Sequence, residues 1–164
     1  MNQDIWKDSF KRGLRGAWSH PDPFQILDSV DFELAGKRVE RMPNTIWQIM
    51  CHMLGWGWLM VRQIQGKPAA KFDDDSNFFP KEDGPASEEE WTEQRAKLWH
   101  LAHEIDLMLE DFDTTKTFPQ WDNITSVDAL MVIITHNAYH TAQIVMLRRL
   151  LGDWGEDVPV WSEN

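Results

Sequence analysis

A single cysteine among 164 residues leaves no partner for an intramolecular disulfide and suits a reducing compartment. Basic charge is also scarce. Sixteen Lys and Arg stand against 27 Asp and Glu, for a formal net charge of −11. Proteins that bind a nucleic-acid duplex gain affinity by setting cations against phosphates, so nucleic acid is not expected as a partner. The small basic clusters, Lys11, Arg12 and Arg15, then Arg148 and Arg149, read as solvated helix surface or helix C-terminal charge. No apolar run has the length of a membrane span, so no membrane association is expected. Met1 to Phe10 carries Asp4, Lys7 and Asp8 where a signal peptide would have its apolar stretch, so a cytoplasmic location is the expectation. No segment sustains two-residue alternation, which argues against strands.

What is present is a globular composition, 42% hydrophobic and 12% aromatic with ten Trp. Residues 1–164 are read as one domain, long enough to bury a core without staples. Four stretches have helical periodicity, at about 3–17, 44–66, 87–112 and 126–151. The first sets Trp6, Phe10, Leu14 and Ala17 on one stripe and is broken by His20-Pro-Asp-Pro. The second opens near Asn44, a potential cap, and stops at Gly66. Ser87 and Glu90 form a capping box for the third, whose stripe runs from Trp91 through Leu98, Leu101 and Ile105 to Phe112. The fourth starts after Thr125 or Ser126 and ends at Gly152. Four such helices predict an all-α, four-helix bundle.

The connection from Lys67 to Ala86 is longer than an idle loop needs to be. Its Phe72, Phe78 and Phe79 imply that it packs on the bundle, while Asp73-Asp74-Asp75 lacks calcium-loop spacing and reads as a solvated turn. A shorter connection, Asp113 to Ile124, has Trp121 as its expected anchor.

His136 and His140 lie four apart, so both imidazoles leave the same helix face one turn apart. At about 100° per residue, Ala129, Val132, Ile133, Tyr139, Gln143 and Leu147 point the same way, toward the interior. Two adjacent buried imidazoles need partners for four nitrogens, and their cations would repel. A metal ion answers both needs by taking a lone pair from each neutral ring. His52 on the second helix groups with Thr45, Gln48, Ile49, Trp56 and Leu59 and is the candidate third ligand. The alternative is three unrelated core histidines. Three imidazoles would leave coordination positions open, as catalytic sites do, and such an ion lowers the pKa of bound water or of a thiol. His100 and His103 project opposite their helix's apolar stripe and are expected in solvent. Cys51 points about 100° away from His52 and is read as a small buried hydrophobe.

Residues 16–23 (GAWSHPDP), 45–56 (TIWQIMCHMLGW) and 135–152 (THNAYHTAQIVMLRRLLG) together resemble the DinB-like superfamily. The most specific part is the lone histidine after Ile-Trp, combined with His-x3-His followed by Gln-Ile and Leu-Arg-Arg-Leu-Leu-Gly. The resemblance implies a four-helix bundle of the DinB/YfiT-like kind, running up-down-down-up. It also implies one divalent metal ion, Ni2+ or Zn2+, on His52, His136 and His140, and a homodimer. Relatives of this kind include thiol-dependent S-transferases and isomerases in which the metal activates a low-molecular-weight thiol, while many members have no known reaction.

Two functions follow as expectations. In one, the protein is a metal-dependent transferase or hydrolase acting on a small-molecule electrophile, in a pocket lined by Gln48, Trp56, Tyr139 and Gln143. Gln48, Gln143 and Tyr139 would then orient a water, thiol or substrate, or, for the two glutamines, hydrogen-bond the metal histidines. In the other, the metal is structural and the protein is a dimeric binding or stress-associated module. Apolar residues away from the histidines favour such a surface, namely Met131, Ile134, Ala138 and Val145, and Trp47, Met50, Leu54 and Val61.

Overall fold

The computed structural model describes residues 3–17, 19–67 and 78–154. Four long helices dominate it: α1 (Gln3–Leu14), α3 (Ile46–Ile64), α4 (Glu88–Glu110) and α5 (Ser126–Leu150). A one-turn helix, α2 (Phe32–Ala35), and 3-10 turns at Gln25–Leu27 and Pro119–Trp121 lie between them. Helix α3 packs against both α5 and α4, and α1 packs against the same two, so the contacts of the four helices close a ring.

The helix ends are set by local chemistry. Thr45, not Asn44, caps α3: its hydroxyl accepts from the Gln48 N–H at 3.2 Å while the Gln48 side chain accepts from the Thr45 N–H at 3.1 Å. The same reciprocal box joins Thr125 and Asp128 at the start of α5. At α4 the Ser87 hydroxyl accepts from the Glu90 N–H as expected, but the Glu90 carboxylate reaches one residue further back, to the Ala86 N–H. Gly66 and Gly152 take left-handed φ values of 70° and 76° and end α3 and α5.

The expectation of no strand is corrected by a two-residue antiparallel pair, Thr117–Phe118 with Ile124–Thr125. It is too short for alternation to register. Asp122 and Asn123, at φ 54° and 61°, close the turn, and the Trp121 ring packs on Phe118 at 5.4 Å. The other elements missing from the sequence reading lie between Asp22 and Ala35, where Phe24, Ile26, Leu27, Val30 and Ala35 join the core.

That core runs through all four long helices. Trp47, Met50, Leu54 and Val61, read as a partner-facing side of α3, are buried inside the chain, and Ile134 and Val145 pack against the core as well. The reason is that α3 is apolar on nearly every side and has neighbours on more than one of them. Two long-range hydrogen bonds tie the Asp22–Ala35 segment down. The Trp91 indole N–H donates to the Val30 carbonyl at 2.9 Å. Arg148, only 1% exposed, donates to the Ile26 carbonyl at 2.7 Å, the Ser29 hydroxyl at 2.9 Å and the Asp153 carboxylate at 2.7 Å.

Among the described residues, no helix is long and apolar enough to cross a membrane.

Arg148→Ala strands a buried carbonyl and a carboxylate, and charge-assisted bonds of this kind are worth about 1.5–3 kcal/mol each. The expected loss is about 3 kcal/mol by urea unfolding, and Arg148→Lys recovers less than half of it because the ammonium cannot reach several directions at once.

Candidate metal centre

His52 sits in the second turn of α3, and His136 and His140 occupy successive turns near the middle of α5. Packing of α3 on α5 brings all three together, with one ligand-capable atom from each ring within 4.8 Å of the others. The Nε2 atoms of His52 and His136 face each other at 3.0 Å. Ring centroids are 5.0 Å apart for His52 and His136, 4.7 Å for His52 and His140, and 4.5 Å for His136 and His140.

Aromatic rings hold the imidazole planes. Phe79 stacks on His52 at 4.1 Å with the planes 8° apart, and Trp56 stacks on His136 at 4.1 Å and 18°. Phe79 arrives from the long connection, which confirms for Phe78 and Phe79 that this loop packs on the helices; Phe72 and Asp73 to Asp75 lie outside the described residues. Phe78 has a left-handed φ of 55°, a costly conformation for a bulky residue. Its ring occupies the space a side chain at Gly55 would need: a Cβ there would stand 2.5 Å from the ring. Gly55 therefore admits Phe78, and Phe78 carries Phe79 onto His52.

Of the polar candidates, Gln143 accepts a hydrogen bond from Nδ1 of His140 at 2.7 Å. An amide oxygen only accepts, so the His140 proton sits on Nδ1 and the Nε2 lone pair is left free to coordinate. Gln48 is turned elsewhere, its oxygen in the α3 capping box and its Nε2 donating to the Pro80 carbonyl at 3.0 Å. It pins the loop rather than facing the imidazoles. Tyr139 is corrected from inward-facing to 63% exposed, with its ring edge against His140 at 5.1 Å. The buried face of α5 runs through Leu130, Ile133, Asn137, Thr141 and Ile144, so the histidines lie at its margin rather than at its centre.

Burial, reinforced by the fields of His140 and His52, pushes the His136 imidazole down to about 3. Burial likewise lowers His140. Both rings are therefore neutral near pH 7, the form that ligates metals. Two nitrogens each about 2.0–2.1 Å from one ion stand roughly 2.9–3.4 Å apart at octahedral or tetrahedral angles, and the 3.0 Å separation falls in that range. His136 Nδ1 is buried with no hydrogen-bond partner among the described residues. A proton shared between the two Nε2 atoms satisfies one pair of atoms only, whereas an ion would use both lone pairs. The residues fit a divalent metal.

The other sequence candidates stand apart. His100 and His103 are exposed, as projected, and His20 places Nδ1 2.8 Å from the Pro21 carbonyl oxygen. Cys51 is half-buried, and burial raises its thiol to about 12, so it is protonated at neutral pH. The features that sequence reasoning missed are the stacked Phe79 and the Gly55–Phe78 contact. A glycine one turn from a candidate ligand was their one visible signal.

Comparison with known proteins gives one match: the family model of the DinB superfamily covers residues 21–144, which include all three histidines. No curated protein and no solved structure matches the chain.

Above pH 6.5, the ordinary histidine value, His136 is neutral in both folded and unfolded chains and adds no pH dependence. Between 6.5 and about 3 the unfolded chain binds a proton that the native ring refuses, so stability falls as pH falls. Urea titrations of chelator-treated protein between pH 7.5 and 5 should show this decline, and His136→Gln should flatten it.

Proposed function

We propose that this chain, which belongs to the DinB superfamily, binds one divalent metal ion, Ni2+ or Zn2+, through His52, His136 and His140 and acts as a metal-dependent enzyme on a small electrophile. The observation that carries this reading is the facing pair of Nε2 atoms at 3.0 Å, with the third imidazole in reach and both α5 histidines held neutral. When bound, a divalent ion supplies a Lewis acid that lowers the pKa of a thiol or water and provides a nucleophile near neutral pH. The reaction class is S-transfer from a low-molecular-weight thiol, or hydrolysis.

The chain's own residues prepare the site. Gln143 fixes the proton of His140 on Nδ1. Phe79 and Trp56 hold the other two rings and keep water off their faces. Tyr139, exposed beside His140, is placed to meet a substrate or a partner. The up-down-down-up course of the four helices belongs to the same reading: more than twenty residues join α3 to α4, enough for consecutive helices to run parallel.

A homodimer is the second part of the proposal. Met131, Val132, Tyr139, Met146 and Leu150 are each 39% to 63% exposed and fall within about 100° of the α5 circumference, an apolar stripe on a helix otherwise packed inside. A second copy of the same stripe would cover it about a two-fold axis.

Purified protein should carry one equivalent of metal, and His52→Ala should lower affinity by more than the roughly 10–100-fold typical of losing an outer partner. Turnover is read on a panel of electrophiles with bacillithiol, mycothiol, glutathione or no thiol. Metal-dependent turnover abolished by His52→Ala supports the enzyme. A folded, metal-loaded protein inert toward every thiol and ester leaves the non-catalytic, metal-stabilised module instead.

Light scattering should give the mass of a dimer that Met146→Glu converts to a monomer with unchanged helical circular dichroism. A wild-type monomer would sink the dimer.

A further inference from the structure

A cleft of about 380 Å3 opens where the end of α1, the turn after His20 and α4 meet, lined by Lys11, Arg12, Arg15, Asp22, Gln25 and Trp99. Its volume is within the range of small-molecule sites, and none of the three clustered histidines lines it. Three cations converge on it in a chain of net charge −11.

Those cations are not equally engaged. Lys11 is committed to Glu110 at 2.8 Å. Arg15 is fixed in place without being saturated. Its guanidinium lies 5.0 Å from the Phe24 ring centroid and 5.4 Å from that of Trp99, which sets its plane. Its contacts to acids are long, 3.4 Å to Asp106 and 3.6 Å to Asp22, whereas charge-assisted bonds usually run about 2.7–2.9 Å. Five N–H donors in a rigid fork are thus served by one weak hydrogen bond. Asp22 is occupied by its own turn, its Oδ1 accepting from the Phe24 N–H at 2.8 Å and the Gln25 N–H at 3.4 Å.

We propose that this cleft binds a small carboxylate whose planar apolar body lies along Trp99 while its two oxygens take the Arg15 fork. The fork matches a carboxylate in two parallel bonds, and the indole beside it offers an apolar wall. Asp22, Asp106 and Glu110 around the cleft repel a doubly charged phosphate more than a singly charged carboxylate.

Fluorine NMR of 4-fluorobenzoate against the full chain tests this, with 4-fluorobenzamide as the uncharged control and inorganic phosphate as competitor. The expected result is line broadening with the benzoate and not with the amide. Arg15→Gln should weaken binding at least tenfold and Trp99→Leu severalfold, while His52→Ala leaves it unchanged. If Arg15→Gln does not fold, Arg15→Lys keeps the charge, loses the fork, and should still weaken binding. No broadening, binding retained in the Arg15 variants, or loss of binding in His52→Ala each overturns the proposal. So does displacement by phosphate at concentrations comparable to the benzoate, which would mean that the cleft reads charge alone.

Discussion

Three imidazoles meeting across the seam between α3 and α5 set the tolerance for everything around them. Imidazoles this close cannot all be charged, and burial pushes His136 and His140 further toward the neutral form. The arrangement survives only if the two helices keep their register to a few tenths of an ångström, because a 3.0 Å approach of two nitrogens has little slack. The ends of both helices are correspondingly well defined. Each begins in a reciprocal capping box and ends at a left-handed glycine. Arg148 and Trp91 then anchor the Asp22–Ala35 segment to α5 and α4, so the core around the seam is closed by hydrogen bonds as well as by apolar burial.

The segment after the long connection matters for the same reason. Thr45 donates its hydroxyl proton to the Asp83 carbonyl at 2.6 Å, Arg38 pairs with the Asp83 carboxylate at 2.6 Å, and Gln48 donates to Pro80. The residues that start α3 therefore also hold the chain that delivers Phe78 and Phe79. A strained φ at Phe78 is tolerable because its ring fills the space left by Gly55. Local sequence at positions 45 to 55 thus specifies a helix cap, a docking groove and a candidate ligand within about three turns.

Much of this was legible in the sequence. Four helical periods placed the long helices to within about three residues at each end, and the Ser87, Thr125, Gly66 and Gly152 signals marked real boundaries. The three histidines were singled out by spacing and family resemblance, and the structure brings them together. The buried face of α5 was not legible in the same way. This helix carries apolar residues on most of its circumference, while its buried side includes Asn137, Thr141 and Arg148, so hydrophobic projection had no clear direction to find and turned Tyr139 inward. Gln48 was misplaced for a different reason: its amide serves a cap and a loop carbonyl 32 residues away, a tertiary bond that no periodicity encodes. The Gln25–Leu27 and Phe32–Ala35 turns escaped because one-turn elements have no period at all.

The donor set also bears on what kind of group would complete the centre. A closed structural site built on thiolates neutralises a divalent ion, whereas three neutral imidazoles leave its charge uncompensated. The fields acting on His136 and His140 come from burial and from the other imidazoles, with no carboxylate or cation among their causes. Inside an aromatic surround of Phe79 and Trp56, an uncompensated charge attracts an anion far more strongly than it would in water. Such a site favours a thiolate or another small anionic ligand over a neutral one, and it favours an uncharged, apolar partner for the rest of the space. The three histidines are therefore more than a place to store an ion: the neutrality enforced by their burial is the property that would make the open position reactive.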